Sequence, residues 1–150
     1  MFRGVMIGGG CGDALGYPLQ ELSVCRIQHK YVPFGLRTLV RSGQCGHLAP
    51  VTANTQMELA TVDGLLWTDA KKLGEAEGLY RGYMRWFYSQ TGEEPRRGQR
   101  TWMRRQPHER EICLVREKFM HARRKPEEDL LNAFSGETMG TPQNKVNEST

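Results

Sequence analysis

The stretch Phe2-Arg3-Gly4-Val5-Met6-Ile7-Gly8-Gly9-Gly10-Cys11-Gly12-Asp13-Ala14-Leu15-Gly16 can be built in two ways, and the choice decides the fold. Read as a strand, Val5 to Ile7 feed a glycine turn of the dinucleotide-binding kind, which demands a ribose-binding acid roughly 20 residues further on. No acidic residue stands between Glu21 and Glu58, so the demand is not met. Read as a helix, Gly4, Gly8, Gly12 and Gly16 fall along one side and form a groove in which another backbone can approach closely. Each helical glycine costs about 1 kcal/mol against alanine, so a row of them predicts close packing. The reading adopted is a helix from Phe2 to Leu15, stopped by Gly16 and Pro18.

The rest of the chain extends that choice. Apolar residues at 19, 22, 24, 27 and 31 predict a short helix from Leu19 to Tyr31, ended by Pro33 and Gly35. The glycine-rich run from Phe34 to Pro50 is a loop. From Thr55, the residues Met57, Leu59, Ala60, Val62, Leu65, Leu66 and Trp67 give a helix apolar on more than one side, hence central in its domain. Thr68 and Asp69 are expected to cap a further helix from about Ala70 to Ser89, closed by Gly92 and Pro95, whose aromatic stripe of Tyr83, Trp86 and Phe87 is core. A helix over Glu111 to Ala122 and another from Pro126 to Phe134 complete the pattern. No run alternates with the period of a strand, so periodicity alone predicts an all-α, bundle-like fold.

Composition narrows the function classes. At 150 residues with 38% hydrophobic side chains the chain can bury one core. Its longest mostly apolar stretch, Val5 to Leu15, is too short for a bilayer and no cleavage-site pattern follows, so a cytoplasmic protein without a membrane partner is the default. Cys11, Cys25, Cys45 and Cys113 show no zinc or disulfide spacing with one another or with His29, His47, His108 and His121, and all four are expected to be reduced, buried thiols. Between Arg96 and Lys125 eleven cations face three carboxylates, an excess of eight positive charges around Trp102. Arginines with an interleaved aromatic can hold phosphate and stack a base. The acidic flanks, Glu93 and Glu94 on one side and Glu127, Glu128 and Asp129 on the other, favour intrachain pairing, and a nucleic-acid partner is not expected.

Two runs remain. Gly12-Asp13-Ala14-Leu15-Gly16-Tyr17-Pro18 and Thr52-Ala53-Asn54-Thr55-Gln56-Met57 are small-residue segments at helix ends, where backbone and short oxygen side chains meet ligands. Asp13 is expected to cap backbone or pair with a cation, and Thr52 to be the N-cap of its helix. In order and spacing the two runs resemble the ADP-ribosylglycohydrolase family, as do Gly64-Leu65-Leu66 and the helix start after Arg123-Arg124, where Glu127 stands in a common glycine position.

The resemblance implies an all-helical hydrolase domain that cuts the bond between ADP-ribose and a protein side chain or related conjugate. It also implies two magnesium or manganese ions gripping the ribose. Thr52 would supply a hydroxyl ligand, and positions 53 and 54 would supply carboxylates. Magnesium takes hard oxygen donors, and an adjacent carboxylate pair also offsets the charge of neighbouring dications. Here Ala53 has no side-chain ligand and Asn54 keeps an oxygen without the charge. Gln20 occupies the position of the family glutamate, and an amide cannot take a proton there. Gly12, Asp13 and Gly16 hold the turn. Asn147 and Ser149 resemble the opening of a glycine-rich loop that contacts the ADP part of the ligand. The family's remaining metal ligands, an Asp-x-Asp run, are absent from residues 1–150. The expectation is therefore one partial domain, truncated on its C-terminal side, with impaired catalysis. A non-catalytic ADP-ribose-binding or protein-interaction half-domain is the alternative, with self-association through uncovered apolar faces.

Overall fold

The computed structural model describes residues 2–42, 48–136, 138–141 and 143–146. Among these residues the fold is all-helical: α1 (Phe2–Gly16), α2 (Val24–Lys30), α3 (Ala53–Lys71), α4 (Glu75–Thr91) and α5 (Glu128–Ser135), with short 3₁₀ turns between them and no strand. The chain divides into two compact units, Met1–Thr55 and Gln56–Thr150.

In the first unit, α1 forms where the glycine pattern places it and passes directly into a 3₁₀ turn over Tyr17–Leu19. Among the described residues of this unit the predicted close packing along its glycines is not seen. A Cβ added at Gly4, Gly8, Gly12 or Gly16 meets none of them within 4 Å, and at Gly10 it meets the Thr55 methyl at 3.9 Å. The helix predicted over Leu19 to Tyr31 shortens to α2, because the Ser23 hydroxyl accepts the Arg26 N–H and starts the helix there. Phe2, Val5, Ile7, Val24, Val32 and Phe34 are all exposed. Cys11 and Cys25 are exposed as well, which corrects the expectation of buried thiols; Cys113 is buried, and Cys45 lies outside the described residues.

The second unit has a dense core of Ala60, Trp67, Met84, Trp86, Phe87, Val115 and Met120. The reason is glycine. At Gly82 an added Cβ would sit 2.4 Å from the Ala60 carbonyl oxygen, and at Gly64 it would sit 2.7 Å from the Gly78 carbonyl oxygen. The backbones of α3 and α4 thus touch, which only residues without a Cβ permit. α3 runs past Thr68 and Asp69, so these do not cap the next helix; the Thr68 hydroxyl instead bonds back to the Gly64 carbonyl at 3.1 Å. α3 ends where Lys72 turns left-handed at φ 54° and Leu73 N–H reaches Thr68 O. A lysine does the work usually given to glycine, which is why the boundary was read too early. Gly92, at φ 71°, closes α4 as predicted.

The helix expected over Glu111 to Ala122 is replaced by two 3₁₀ turns, Leu114–Arg116 and Lys118–His121. Polar side chains hold the carbonyls near its end. Gln56 Nε2 donates to Phe119 O at 2.6 Å and Ala122 O at 2.9 Å, Ser89 and Gln90 donate to Met120 O, and the His121 ring reaches Val115 O at 2.7 Å. Gln56 is fully buried and also accepts the Trp86 indole N–H. α5 begins at Glu128, two residues beyond Pro126, and its Phe134 packs on Tyr83 and Trp86.

Candidate active site

The two sequence runs meet within the first unit. Asp13, in the last turn of α1, directs Oδ2 at the start of α3, where it accepts the Thr52 N–H at 2.8 Å and the Thr55 hydroxyl at 2.5 Å. Thr52 is buried, and its own hydroxyl accepts the Asn54 N–H at 3.0 Å, the bond of an N-cap. A carboxylate at a helix N-terminus satisfies donors that the helix itself leaves without partners, and its charge is favoured by the helix dipole. Asp13 and Thr52 therefore both act structurally, as the residue types allowed.

The other predicted site residues divide. Ala53 is buried and Asn54 exposed, so the first brings no donor and the second presents a neutral amide at the surface. Gln20 is exposed, directly after the Tyr17–Leu19 turn, and takes no part in the hydrogen bonds that join Asp13 to Thr52 and Thr55. Gly12 is exposed, while Gly16 keeps right-handed helical angles, φ −71° and ψ −30°, so it does not end α1 through a left-handed turn. Asn147 and Ser149 lie outside the described residues.

Positions 52–54 can be tested against a pair of dications. They offer one hydroxyl that already accepts an N–H, one amide oxygen and no carboxylate, while Asp13 has one oxygen committed to two donors. Two neighbouring dications need negatively charged oxygens to offset their repulsion. This donor set does not fit them. Among the described residues no group of three His, Cys, Asp or Glu side chains is placed to hold a metal ion.

A second polar cluster, in the second unit, was not foreseen. Arg85, buried in α4, places Nη1 2.6 Å from Asp63 Oδ2 on α3 and Nη2 2.9 Å from Glu109 Oε2. His108 Nε2 lies 2.7 Å from the other Asp63 oxygen. Glu109 also accepts the N–H groups of Gln106 and Leu114 at 2.7 Å each, pinning both ends of its loop. Burial pushes the Glu109 carboxyl up, but the Gln106 N–H and the Arg85 guanidinium outweigh that and hold it below its ordinary value. Burial, with the Glu109 charge, pushes the neighbouring Cys113 thiol up, so it stays a thiol rather than a nucleophilic thiolate. The available signal was a lone charge inside each apolar run: Asp63 between Val62 and Leu65, and Arg85 between Met84 and Trp86.

Four arginines of the basic segment are occupied within the chain. Arg105 forks onto the carbonyls of Arg110 and Glu111, Arg96 donates to Ser135 O, and Arg100 and Arg123 pair with Glu94 and Glu128.

The described residues are all-helical, and the Gly-Asp segment closes on a Thr-capped helix. The ADP-ribosylglycohydrolase family model matches residues 1–142, and the chain belongs to that family. No curated protein and no solved structure gives a significant match. Among the described residues no helix is long and apolar enough to cross a membrane.

Proposed function

We propose that this chain is an ADP-ribosylglycohydrolase-type protein that keeps the scaffold of the ribose site and has lost its metal-assisted step. The family reaction is attack of water at the anomeric carbon of an ADP-ribose conjugate, with magnesium or manganese neutralising charge beside the ribose. The observation that carries the reading is the Asp13 corner. Its carboxylate still fastens Thr52 and Thr55 to α1, while Ala53 and Asn54 remove the charge that dications require. Gln20 adds to this, since an amide can orient a hydroxyl or water but cannot accept its proton. What the corner retains is an exposed amide beside ordered hydroxyls, suited to holding a polyhydroxyl ligand such as the ribose of an ADP-ribosylated protein.

The test is release of ADP-ribose from a modified peptide with and without magnesium. The expected result is no magnesium-dependent release from the natural chain, with calorimetric cation binding recovered by Ala53→Asp/Asn54→Asp/Gln20→Glu in a full-length context that supplies the Asp-x-Asp run. Magnesium-dependent release by the natural chain overturns the impairment. A second reading, a binding module that works through protein contact, draws on the exposed Phe2, Val5, Ile7, Val24, Val32 and Phe34 of the first unit. Sedimentation separates the two, because a module of that kind self-associates with rising concentration and a lone folded monomer does not.

A further inference from the structure

α3 is apolar on two sides, and the core of the second unit uses one of them, where Ala60 and Trp67 are buried. Leu59, Val62 and Leu66, three and four residues apart and so on one face, form a second stripe. It stays half-buried at Leu59 and Val62 and is 50% exposed at Leu66. Together with Leu114 and Ile112, the latter 61% exposed, the stripe lines a cleft of about 440 Å³. That volume falls in the range of small-molecule sites, whose lining is mostly apolar.

The polar groups between these walls decide the class of ligand. Asp63, His108 and Glu109 also line the cleft, yet each is engaged elsewhere. Asp63 turns one oxygen to Arg85 and the other to the His108 ring. Each Glu109 oxygen accepts from Arg85 and from a backbone N–H, of Leu114 or of Gln106. Both carboxylates are occupied for either charge of the His108 ring. The three side chains are 4%, 7% and 4% exposed, and His108 Nδ1 has no access to solvent, so a molecule in the cleft does not reach these polar atoms. It meets hydrocarbon. An ionic ligand would shed its water there with nothing to replace it. Arg110 and Glu111, which complete the lining, are exposed and opposite in sign, and contacts with such solvated charges add little.

From this we infer that the cleft is a binding site for a small uncharged apolar molecule, such as an alkylbenzene, held against Leu59, Val62, Leu66, Ile112 and Leu114. It selects against charge of either sign. A ligand there touches both α3 and the segment from Ile112 to Leu114, so it binds the folded chain alone and raises its stability by mass action. The inference stands on the second unit alone and is independent of the Asp13 corner.

The experiment titrates the whole natural chain with three probes of similar size, propylbenzene, phenethylammonium and phenylacetate, following the methyl groups of the cleft and those of Val5 and Val24 in the first unit by NMR. The expected result is saturable binding of propylbenzene, at least about tenfold tighter than either ion, a difference worth about 1.4 kcal/mol. The methyls of Leu59, Val62, Leu66, Ile112 and Leu114 should move with one common affinity while Val5 and Val24 stay still, and the urea midpoint should rise with propylbenzene concentration. Ile112→Ala and Leu66→Ala, both at exposed positions, should each weaken propylbenzene severalfold with the rest of the spectrum unchanged. Four results overturn the inference: no saturable binding of propylbenzene, equal or tighter binding of either ion, shifts that appear equally at Val5 and Val24, or a folded Ile112→Ala or Leu66→Ala chain that binds propylbenzene as tightly as the natural one.

Discussion

α1 and the α3–α4 pair both carry glycines four residues apart, yet they use them in opposite ways. In α1, Gly4, Gly8, Gly12 and Gly16 line a side that no described residue of the first unit approaches within 4 Å. In the pair, Gly78 and Gly82 of α4 sit against Gly64 and Ala60 of α3 so tightly that a Cβ at Gly78 would fall 1.9 Å from the Thr68 hydroxyl oxygen. The spacing of small residues marks where two backbones could meet. Whether they do depends on what the neighbouring residues bury. Around Gly82 stand Met84, Trp86 and Phe87, each at most 1% exposed, whereas around Gly4 and Gly8 stand Phe2, Val5 and Ile7, each more than 60% exposed.

The largest blow to the contrast is expected at the ion cluster that clasps α3 to α4 beside those glycines. Arg85→Met leaves Asp63 and Glu109 buried without their cation and should cost about 3–5 kcal/mol in urea unfolding. Gly82→Ala comes next. Its methyl must displace the Ala60 carbonyl, and a loss of about 1–3 kcal/mol is expected from the same measurement. An unchanged unfolding midpoint for Gly82→Ala would show that the two helices can part freely.

Acid sharpens the comparison at intermediate size. The Glu109 carboxyl is held below its ordinary 4.5, so its contribution is complete above that value and is lost as pH falls through the folded value. Urea midpoints should therefore drop below about pH 4.5 in the natural chain and respond less in Glu109→Gln. The smallest effect is expected at Gly8→Ala. With no neighbour to displace, the substitution should stabilise α1 by up to about 1 kcal/mol, seen as a small rise in helicity and midpoint. Destabilisation there would mean that the glycine side of α1 is covered in solution.

The helices with strong apolar periods were legible as helices: α1, α3, α4 and α5 all lie where the pattern placed them, to within a few residues. So were the capping roles of Asp13 and Thr52, because a short acid and a β-hydroxyl residue are the types that satisfy bare N–H groups at a helix start. The 111–122 segment was not legible. Its apolar spacing suits a helix, but Gln56, Ser89, Gln90 and His121 take its carbonyls.

The chain's own order of residues determined its helical class, its family and the absence of a carboxylate at 53 and 54, since these depend on local periodicity and on which atoms a side chain carries. Tertiary structure alone decided which glycines are crowded, which cysteines are buried and that Asp63, Arg85, His108 and Glu109 form one cluster. The cluster joins residues 22 to 45 positions apart, and no local window of sequence records the partner across such a gap.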